Sequence, residues 1–234
     1  MRQCSWLAVF RGVASVGLLG GLAVLVGCGT GEYEKRLSGR DARLKAQALA
    51  RFADLGNEQK LPGANVSFRV PKKMSALASG DPRRLTPGLL PLPDGHQTFE
   101  GFIQDSTGGQ LPYYCYVGVL PVPLQQLTTQ MQAAFTAAKA NGSVNWADAQ
   151  AESPDGEVST WKKLRLPANQ VFYYKKKDGQ SQYPSMPGVL ELYLGDAGKS
   201  TVFIVWRLPT SIENNVELAR LAPLVNGCVK AEKQ

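Results

Sequence analysis

Side chains that could do chemistry are few in this 234-residue chain, and they are scattered. The only histidine is His96, which is followed by glutamine and threonine. A metal site needs several ligands held together, and a general base needs a nucleophile and an orienting acid nearby. We therefore interpret His96 as a surface loop residue, and the sequence predicts neither a metal site nor a cofactor.

Two pairs of acids could serve hydrolysis, namely Glu100 with Asp105 and Glu152 with Asp155. A glycosidase holds two carboxyl groups about 5–10 Å apart across the scissile bond. Because acids are common, these pairs alone do not identify an enzyme. Residues 195–200 contain two glycines and a lysine, but the spacing of a phosphate-binding loop and the helix that follows it are absent. We predict a hairpin turn there.

Basic residues cluster twice in the second half of the chain. We predict strands over residues 159–166 and 170–177, and pairing of these strands would bring the two clusters together. The resulting patch could bind anionic headgroups or an acidic glycan. The alternative is a solvated sheet edge, whose lysines discourage pairing with another sheet. The patch consists of the basic residues Lys162, Lys163, Arg165, Lys175, Lys176 and Lys177, with the aromatic residues Trp161, Tyr173 and Tyr174.

The first 27 residues have the three-part organisation of an export signal. Arg2 and Arg11 precede an apolar run over residues 12–26, and Gly27 and Cys28 follow it. The run has about 15 residues, which is fewer than the roughly 20 that a membrane-spanning helix needs. Four of its residues are glycines, which weaken a helix further.

The sequence Leu25-Val26-Gly27-Cys28 resembles the lipobox of bacterial lipoproteins. The resemblance implies cleavage between Gly27 and Cys28 and attachment of lipid to Cys28. Two or three acyl chains hold a protein firmly on a membrane, whereas one gives marginal binding. The expected location is the cell envelope, with the protein facing the periplasm or the exterior. The alternatives are an ordinary signal peptide cut nearby and an uncleaved anchor.

Two cysteines remain after the signal and the lipid site, and they are Cys115 and Cys228. An oxidising compartment favours a disulfide between them. Such a bridge closes a loop of more than about 100 residues and is worth up to about 4–5 kcal/mol in the chain-entropy model. Two separately buried thiols are the alternative.

The rest of the chain predicts one amphipathic helix and one domain. Apolar residues recur at helical spacing over residues 32–55, so residues 28–60 comprise the lipidated cysteine, a spacer and this helix. The helix docks on the domain, forms a stalk, or lies on the membrane surface. Residues 61–234 form the domain, which includes a loop over 72–95 that is rich in proline and glycine.

Within the domain, strands over 97–104 and 111–120 predict a hairpin, and a second pair is predicted over 189–194 and 201–207. A helix is predicted from about residue 124 to Asn141-Gly142, and another from Ser211 to a stop before Pro223. The polar stretch 143–155 is predicted to be irregular. The last strand is continuously apolar, which indicates burial on both faces. We predict an α+β fold, with a mainly antiparallel sheet of about seven strands and helices packed on both faces.

This layout is similar to the Mog1/PsbP-like fold. The shared features are an opening strand with Phe68-Arg69-Val70-Pro71 and a closing strand, Val205-Trp206-Arg207, that leads into a terminal helix. The resemblance implies a binding or assembly module, not an enzyme.

We therefore expect a non-enzymatic envelope lipoprotein. Its predicted partners are the membrane, through the lipid, and another envelope protein. Nucleic acid is not expected, because the chain is exported. After loss of two of the 26 basic residues with the signal, five more basic than acidic residues remain, and this mild excess permits contact with polyanions. An envelope polymer hydrolase and a small-ligand carrier with an apolar cavity are the alternatives.

Overall fold

A computed structural model of the protein describes residues 30–78, 81, 96–137 and 145–231. The predicted signal peptide, the cleavage site at Gly27 and the lipid site at Cys28 lie outside these residues. Most of the predicted loop over 72–95 and the predicted helix stop at Asn141-Gly142 also lie outside them.

The chain divides between Ala50 and Arg51 into two compact units. The described part of the first unit is helical, and its helix, α1, spans Thr30–Arg51. Gly39 does not interrupt the helix, so the predicted helix is present as one piece. Its apolar residues Tyr33, Leu37 and Leu44 alternate with many charges. Among the described helices, none combines the length and the apolar character that crossing a membrane requires.

The described part of the second unit contains the sheet strands and three further helices. The strands are β1 Gln59–Lys60, β2 Val66–Phe68, β3 Ser75–Ala76, β4 Gln97–Gln104, β5 Gln110–Leu120, β6 Ala147–Glu152, β7 Val158–Val171, β8 Tyr174–Lys175, β9 Ser181–Gln182, β10 Ser185–Asp196, β11 Thr201–Pro209 and β12 Lys230–Ala231. The helices are α2 Leu124–Ala137, α3 Glu213–Val216 and α4 Leu218–Gly227, and a 3-10 turn, Thr210–Ile212, precedes α3.

Nine strands form the main sheet, in the order β3-β4-β5-β11-β10-β7-β6, with β8 beside β5 and β9 beside β8. Strands β1, β2 and β12 form a separate small sheet. All strand pairs are antiparallel, as predicted. The predicted number of about seven strands is wrong, because two-residue strands such as β8 and β9 are too short to show an alternating pattern.

Strand β11 lies at the centre of the main sheet, and all nine of its residues are buried. Ile204 and Trp206 face a first core, which also contains Phe68 and Phe99. Val205 faces a second core on the opposite side of the sheet, which contains Tyr114 and Tyr116. The prediction that this strand is buried on both faces is therefore confirmed.

Helices cover the two faces only in part. On the first core, Val216 of α3 and Leu221 of α4 pack together with non-helical residues such as Phe52 and Leu61. On the second core, α2 contributes the buried residues Leu127 and Met131. Because loops provide much of the cover, the prediction of helices packed on both faces is not confirmed in that form.

Four local predictions are wrong. Strand β6 lies within the stretch that we predicted to be irregular, because its backbone pairs with residues 158–163 of β7 and its Ala151 is buried in the first core. Strand β7 continues through Pro167, Ala168 and Asn169, which pair with Val189, Gly188 and Pro187 of β10. Helix α4 continues through Pro223, since apolar side chains on both sides of the proline are buried in the first core. Ser211 lies in the 3-10 turn and caps no helix.

Candidate functional site

The first basic cluster lies on strand β7, and each of its members pairs with an acid. The ammonium nitrogen of Lys162 is 2.6 Å from Asp148 Oδ1. The ammonium nitrogen of Lys163 is 3.1 Å from Glu191 Oε2, and Arg165 Nη1 is 2.7 Å from Glu191 Oε1. Each acid offsets the positive charge of its partner, so this cluster has less net charge to attract a polyanion than its sequence indicates.

Glu191 is the centre of this ion-pair network, and its side chain is only 4% exposed. Its Oε2 also accepts a hydrogen bond of 2.8 Å from the hydroxyl of Tyr193. Arg165 joins it to Glu213 of α3 through two further hydrogen bonds of 2.6 and 2.8 Å. These bonds from Arg165 lower the pKa of Glu213. Burial, with the nearby charge of Glu191, raises the pKa of Tyr193. The network fastens α3 to the sheet.

Trp161 belongs to the first core and not to a surface patch. Its side chain is 4% exposed, and its ring nitrogen donates to Ser159 Oγ at 3.0 Å.

The second basic cluster, Lys175 to Lys177, lies on a separate hairpin formed by β8 and β9. Strand β7 continues to Val171, and the extended stretch from Arg165 to Val171 alone covers about 20 Å. Strand β8 then pairs with β5, at Gln110. The prediction that one hairpin unites the two basic clusters is therefore wrong.

Three aromatic rings accompany the second cluster. The ring centres of Phe102 and Tyr173 are 6.2 Å apart, and those of Tyr173 and Tyr183 are 5.4 Å apart. Both pairs are edge-to-face, with interplanar angles of 70° and 61°. Tyr183 is 51% exposed. Because side chains alternate along a strand, Lys175 and Ser181, which pair across the hairpin, share one face with Tyr173 and Tyr183. We call Phe102, Tyr173, Tyr183 and Lys175 the aromatic corner.

Hydrogen bonds to neighbouring turns hold the hairpin of the corner in place. The hydroxyls of Tyr173 and Ser181 Oγ are 2.8 Å apart. On the other face of the hairpin, the Tyr174 hydroxyl donates to Asp105 Oδ2 at 2.9 Å. A Cβ atom at Gly109 would lie 2.0 Å from the Tyr174 hydroxyl, so only glycine admits this contact.

Arg207 supports the strand end that leads into the corner. Its side chain is buried, and its Nη2 donates to the carbonyl oxygen of Val171, while its Nε donates to Gln170 Oε1. Its guanidinium carbon lies 4.8 Å from the ring centre of the fully buried Phe172. The Arg207 side chain thus holds residues 171 and 172, which immediately precede Tyr173, in place.

The acids that we considered for hydrolysis have structural partners. Asp105 Oδ1 accepts from the Thr107 amide, the Thr107 hydroxyl and the Gly109 amide, at 2.8–2.9 Å. Desolvation raises the pKa of Asp105, but these bonds and that from Tyr174 outweigh it, so the pKa is lowered. Asp105 is therefore a poor proton donor. Glu100 is buried within the sheet.

The second acid pair lies at the surface. Glu152 Oε2 accepts from Arg51 at 2.9 Å, and Asp155 lies 3.7 Å from the Lys230 ammonium. Two grooves within the described chain have volumes of about 380 and 230 Å³. Neither groove is lined by a member of the two pairs.

Cys115 and Cys228 are free thiols, and both are buried in the first core. Burial raises the pKa of the Cys115 thiol, and it raises that of Cys228 to about 11. Cys115 lies in the middle of β5, whereas Cys228 follows the end of α4. The predicted bridge is absent from this structure, which instead has the alternative of two separately buried thiols.

Two members of the corner, Phe102 and Tyr183, were not predicted from the sequence. A signal for Tyr183 exists, because Asp178-Gly179 is a common turn dipeptide of hairpins. Gly179 has a φ of 85° and its amide donates to the Lys176 carbonyl, which places Tyr173 and Tyr183 across the hairpin. Among the described residues, no group of three or more histidine, cysteine or acidic side chains is placed to hold a metal ion.

Comparison with known proteins gives only distant likenesses. The sequence matches no protein-family model and no curated protein. A protein of Bacteroides thetaiotaomicron is similar in structure at 14% identity and a TM-score of 0.40, over 76% of this chain. This chain spans about half, 49%, of that protein's length. The Saccharomyces cerevisiae Ran-binding protein Mog1p is similar at 16% identity and a TM-score of 0.37, over 75% of this chain and 94% of Mog1p. At these TM-scores the two likenesses carry no argument about this chain's function or about the expected Mog1/PsbP-like layout.

Proposed function

We propose that this protein is a cell-envelope lipoprotein that holds a non-enzymatic binding module at a membrane. The observation that carries the proposal is the run Leu25-Val26-Gly27-Cys28, placed directly after an apolar segment of signal length. Helix α1 includes Thr30, two residues after Cys28. Acylation at Cys28 would therefore put the start of this helix at the membrane surface.

The binding role is supported by the way the second unit distributes its polar groups. The acids considered for hydrolysis are occupied by hydrogen bonds or ion pairs, or are buried. The aromatic corner, by contrast, has a ring that is half exposed and a lysine on the same face. Exposed aromatic side chains fixed by their neighbours are typical anchors of binding surfaces.

The test is mass spectrometry of the protein purified from membranes of cells that express the full chain. We expect a mature chain that begins at Cys28 and carries the added mass of two or three acyl chains. Cys28→Ala should abolish both the cleavage and the added mass, and it should release the protein from firm membrane attachment.

Cys4→Ala is the matched control, because Cys4 lies within the predicted signal and should be absent from the mature protein. This variant should be acylated like the wild type. A wild-type chain that begins at another residue and carries no acyl mass would overturn the proposal.

A further inference from the structure

We infer that the aromatic corner binds a carboxylate-bearing glycan chain of the cell wall. The inference rests on the proposed envelope location and assigns a ligand class to that binding module. Three observations carry it: the arrangement of the rings, the charge on their face of the hairpin, and the rigidity of the site.

The rings of Phe102, Tyr173 and Tyr183 follow one another at centre-to-centre distances of 6.2 and 5.4 Å. An aromatic face is electron-rich, so it attracts the polarised C–H groups that a sugar ring presents on its flat side. Successive rings suit a ligand that repeats. The hydroxyl of Ser181, which lies opposite Lys175 and is hydrogen-bonded to the Tyr173 hydroxyl, has capacity left to bind a sugar hydroxyl.

The charge near these rings is positive on balance. Lys175, Lys176 and Lys177 form no ion pair within the described part of the chain, and Lys175 and Lys177 alternate onto the face that carries the rings. Two carboxylates belong to the same region: Asp178 follows the lysines in the turn, and Asp105 accepts a hydrogen bond from Tyr174 on the other face of the hairpin. Three lysines and two acids leave a net positive charge. A ligand that carries carboxylates therefore complements this corner, and salt should weaken its binding.

The corner is fixed before any ligand arrives. Arg207 Nη2 donates a hydrogen bond to the Val171 carbonyl oxygen, and the Tyr173 hydroxyl contacts Ser181 Oγ. The Phe172 amide donates to the Pro184 carbonyl at 3.1 Å. Binding to a site whose side chains are already ordered loses little conformational entropy. A pre-ordered site favours a ligand that makes few contacts per repeat over a ligand whose binding requires the site to rearrange.

The test is co-sedimentation of the purified full-length protein, in detergent micelles, with purified peptidoglycan sacculi that have been treated with protease. The wild type should pellet with the sacculi at low salt. Tyr183→Ala should weaken the binding roughly tenfold, and Lys175→Gln roughly threefold, by loss of one stacking contact and one charge.

Matched controls separate the corner from general surface effects. Tyr33→Ala removes a tyrosine that is 64% exposed but lies on α1, and Lys199→Gln removes an exposed lysine in the turn between β10 and β11. Both should bind like the wild type. Sacculi whose carboxylates have been amidated should bind less wild-type protein, and for them Lys175→Gln should cause no further loss.

Three results would overturn the inference. The first is that the wild type does not pellet, or that Tyr183→Ala pellets as well as Tyr33→Ala. The second is binding only to sacculi that were not treated with protease, which would identify a protein partner. The third is equal competition by phosphatidylglycerol vesicles, which would identify a lipid surface. The mass of the mature chain is measured separately, so failure of the lipid anchor is distinguishable from each of these results.

Discussion

Two groups of basic residues, ten positions apart in the sequence, have opposite surroundings in this protein. Lys163 and Arg165 of β7 face Glu191, whose carboxylate is nearly inaccessible to solvent. Lys175 of β8 faces Ser181 across its hairpin and lies beside aromatic rings. The first group stabilises the fold, and the second is available to a ligand.

The difference shows that the neighbouring strand, and not the cluster's own sequence, determines whether the positive charges of a basic cluster are neutralised. Residues 163 and 165 pair with residues 193 and 191 of β10. The acid that neutralises them, Glu191, therefore comes from a strand that is not adjacent to β7 in the sequence. Residue 175 pairs with residue 181, which is neutral. Substitutions in the two groups should therefore have different consequences, which we give from the largest expected effect to the smallest.

Glu191→Ala should have the largest effect. It removes the shared partner of Lys163, Arg165 and Tyr193, and loss of one member of a buried ion pair costs about 3 kcal/mol or more of unfolding free energy. Urea denaturation measures it. Asp148→Ala is the control, because the Lys162–Asp148 pair is exposed and should contribute under about 1 kcal/mol. Equal losses in the two variants would mean that Glu191 is no more important than a surface acid.

Arg165→Ala should have the next largest effect. The side chain makes three charge-assisted hydrogen bonds to Glu191 and Glu213, and we expect a loss of about 2 kcal/mol. Arg165→Lys should recover only part of it, because an ammonium group cannot make the two parallel bonds to Glu213. Full recovery in the lysine variant, measured by the same denaturation, would contradict this role of the guanidinium geometry.

Glu213 should make the network sensitive to acid. Its pKa is lower in the folded protein than in the unfolded chain, where it is about 4.3. Its contribution is therefore complete above the unfolded value and is lost as the pH falls through the folded value. The gap in unfolding free energy between wild type and Glu213→Gln should therefore shrink as the pH is lowered from 7 to 3. A gap that is constant over this range would show that the carboxylate charge does not contribute.

Lys175→Gln should have the smallest effect on stability. Replacement of an exposed residue that forms no ion pair changes the unfolding free energy by less than about 0.5 kcal/mol. Its midpoint in urea should match that of the wild type. If this variant were destabilised as much as Arg165→Ala, the two basic groups would not differ, and the corner would be a structural feature.

Much of the fold could be predicted because, in several helices and strands, the spacing of apolar residues indicates the type of element and the face that it buries. The continuous apolar run of β11, the alternation in β5 and the helical spacing in α2 each reflect the face that the element buries. Strand β7 could not be predicted in full, because Pro167 normally ends a strand. Beyond Lys163 this strand has no partner on the β6 side in the described chain, so the missing amide hydrogen of the proline can face that open side.

The site could be predicted only in part, because some of its residues come together only through pairing of strands that are distant in the sequence. The run Tyr173 to Lys177 indicates a basic and aromatic surface, and Lys175 remains in the candidate site. Phe102 comes from a strand about 70 positions earlier, and only the pairing of β8 with β5 brings it near. Neutralisation of Arg165 depends on which strand lies next to β7, and no local pattern contains that information.

The position of β11 in the sheet also sets an order of assembly. It is the penultimate strand of the chain, yet it lies between β5 and β10, so it alone joins the two halves of the main sheet. A nascent chain that ends before Thr201 has one half with β4 and β5 and another with β7 and β10, each with an unpaired edge. Such non-local closure folds slowly and exposes strands that can aggregate. Until Thr201–Pro209 has been synthesised, those two edges have no partner to cover them.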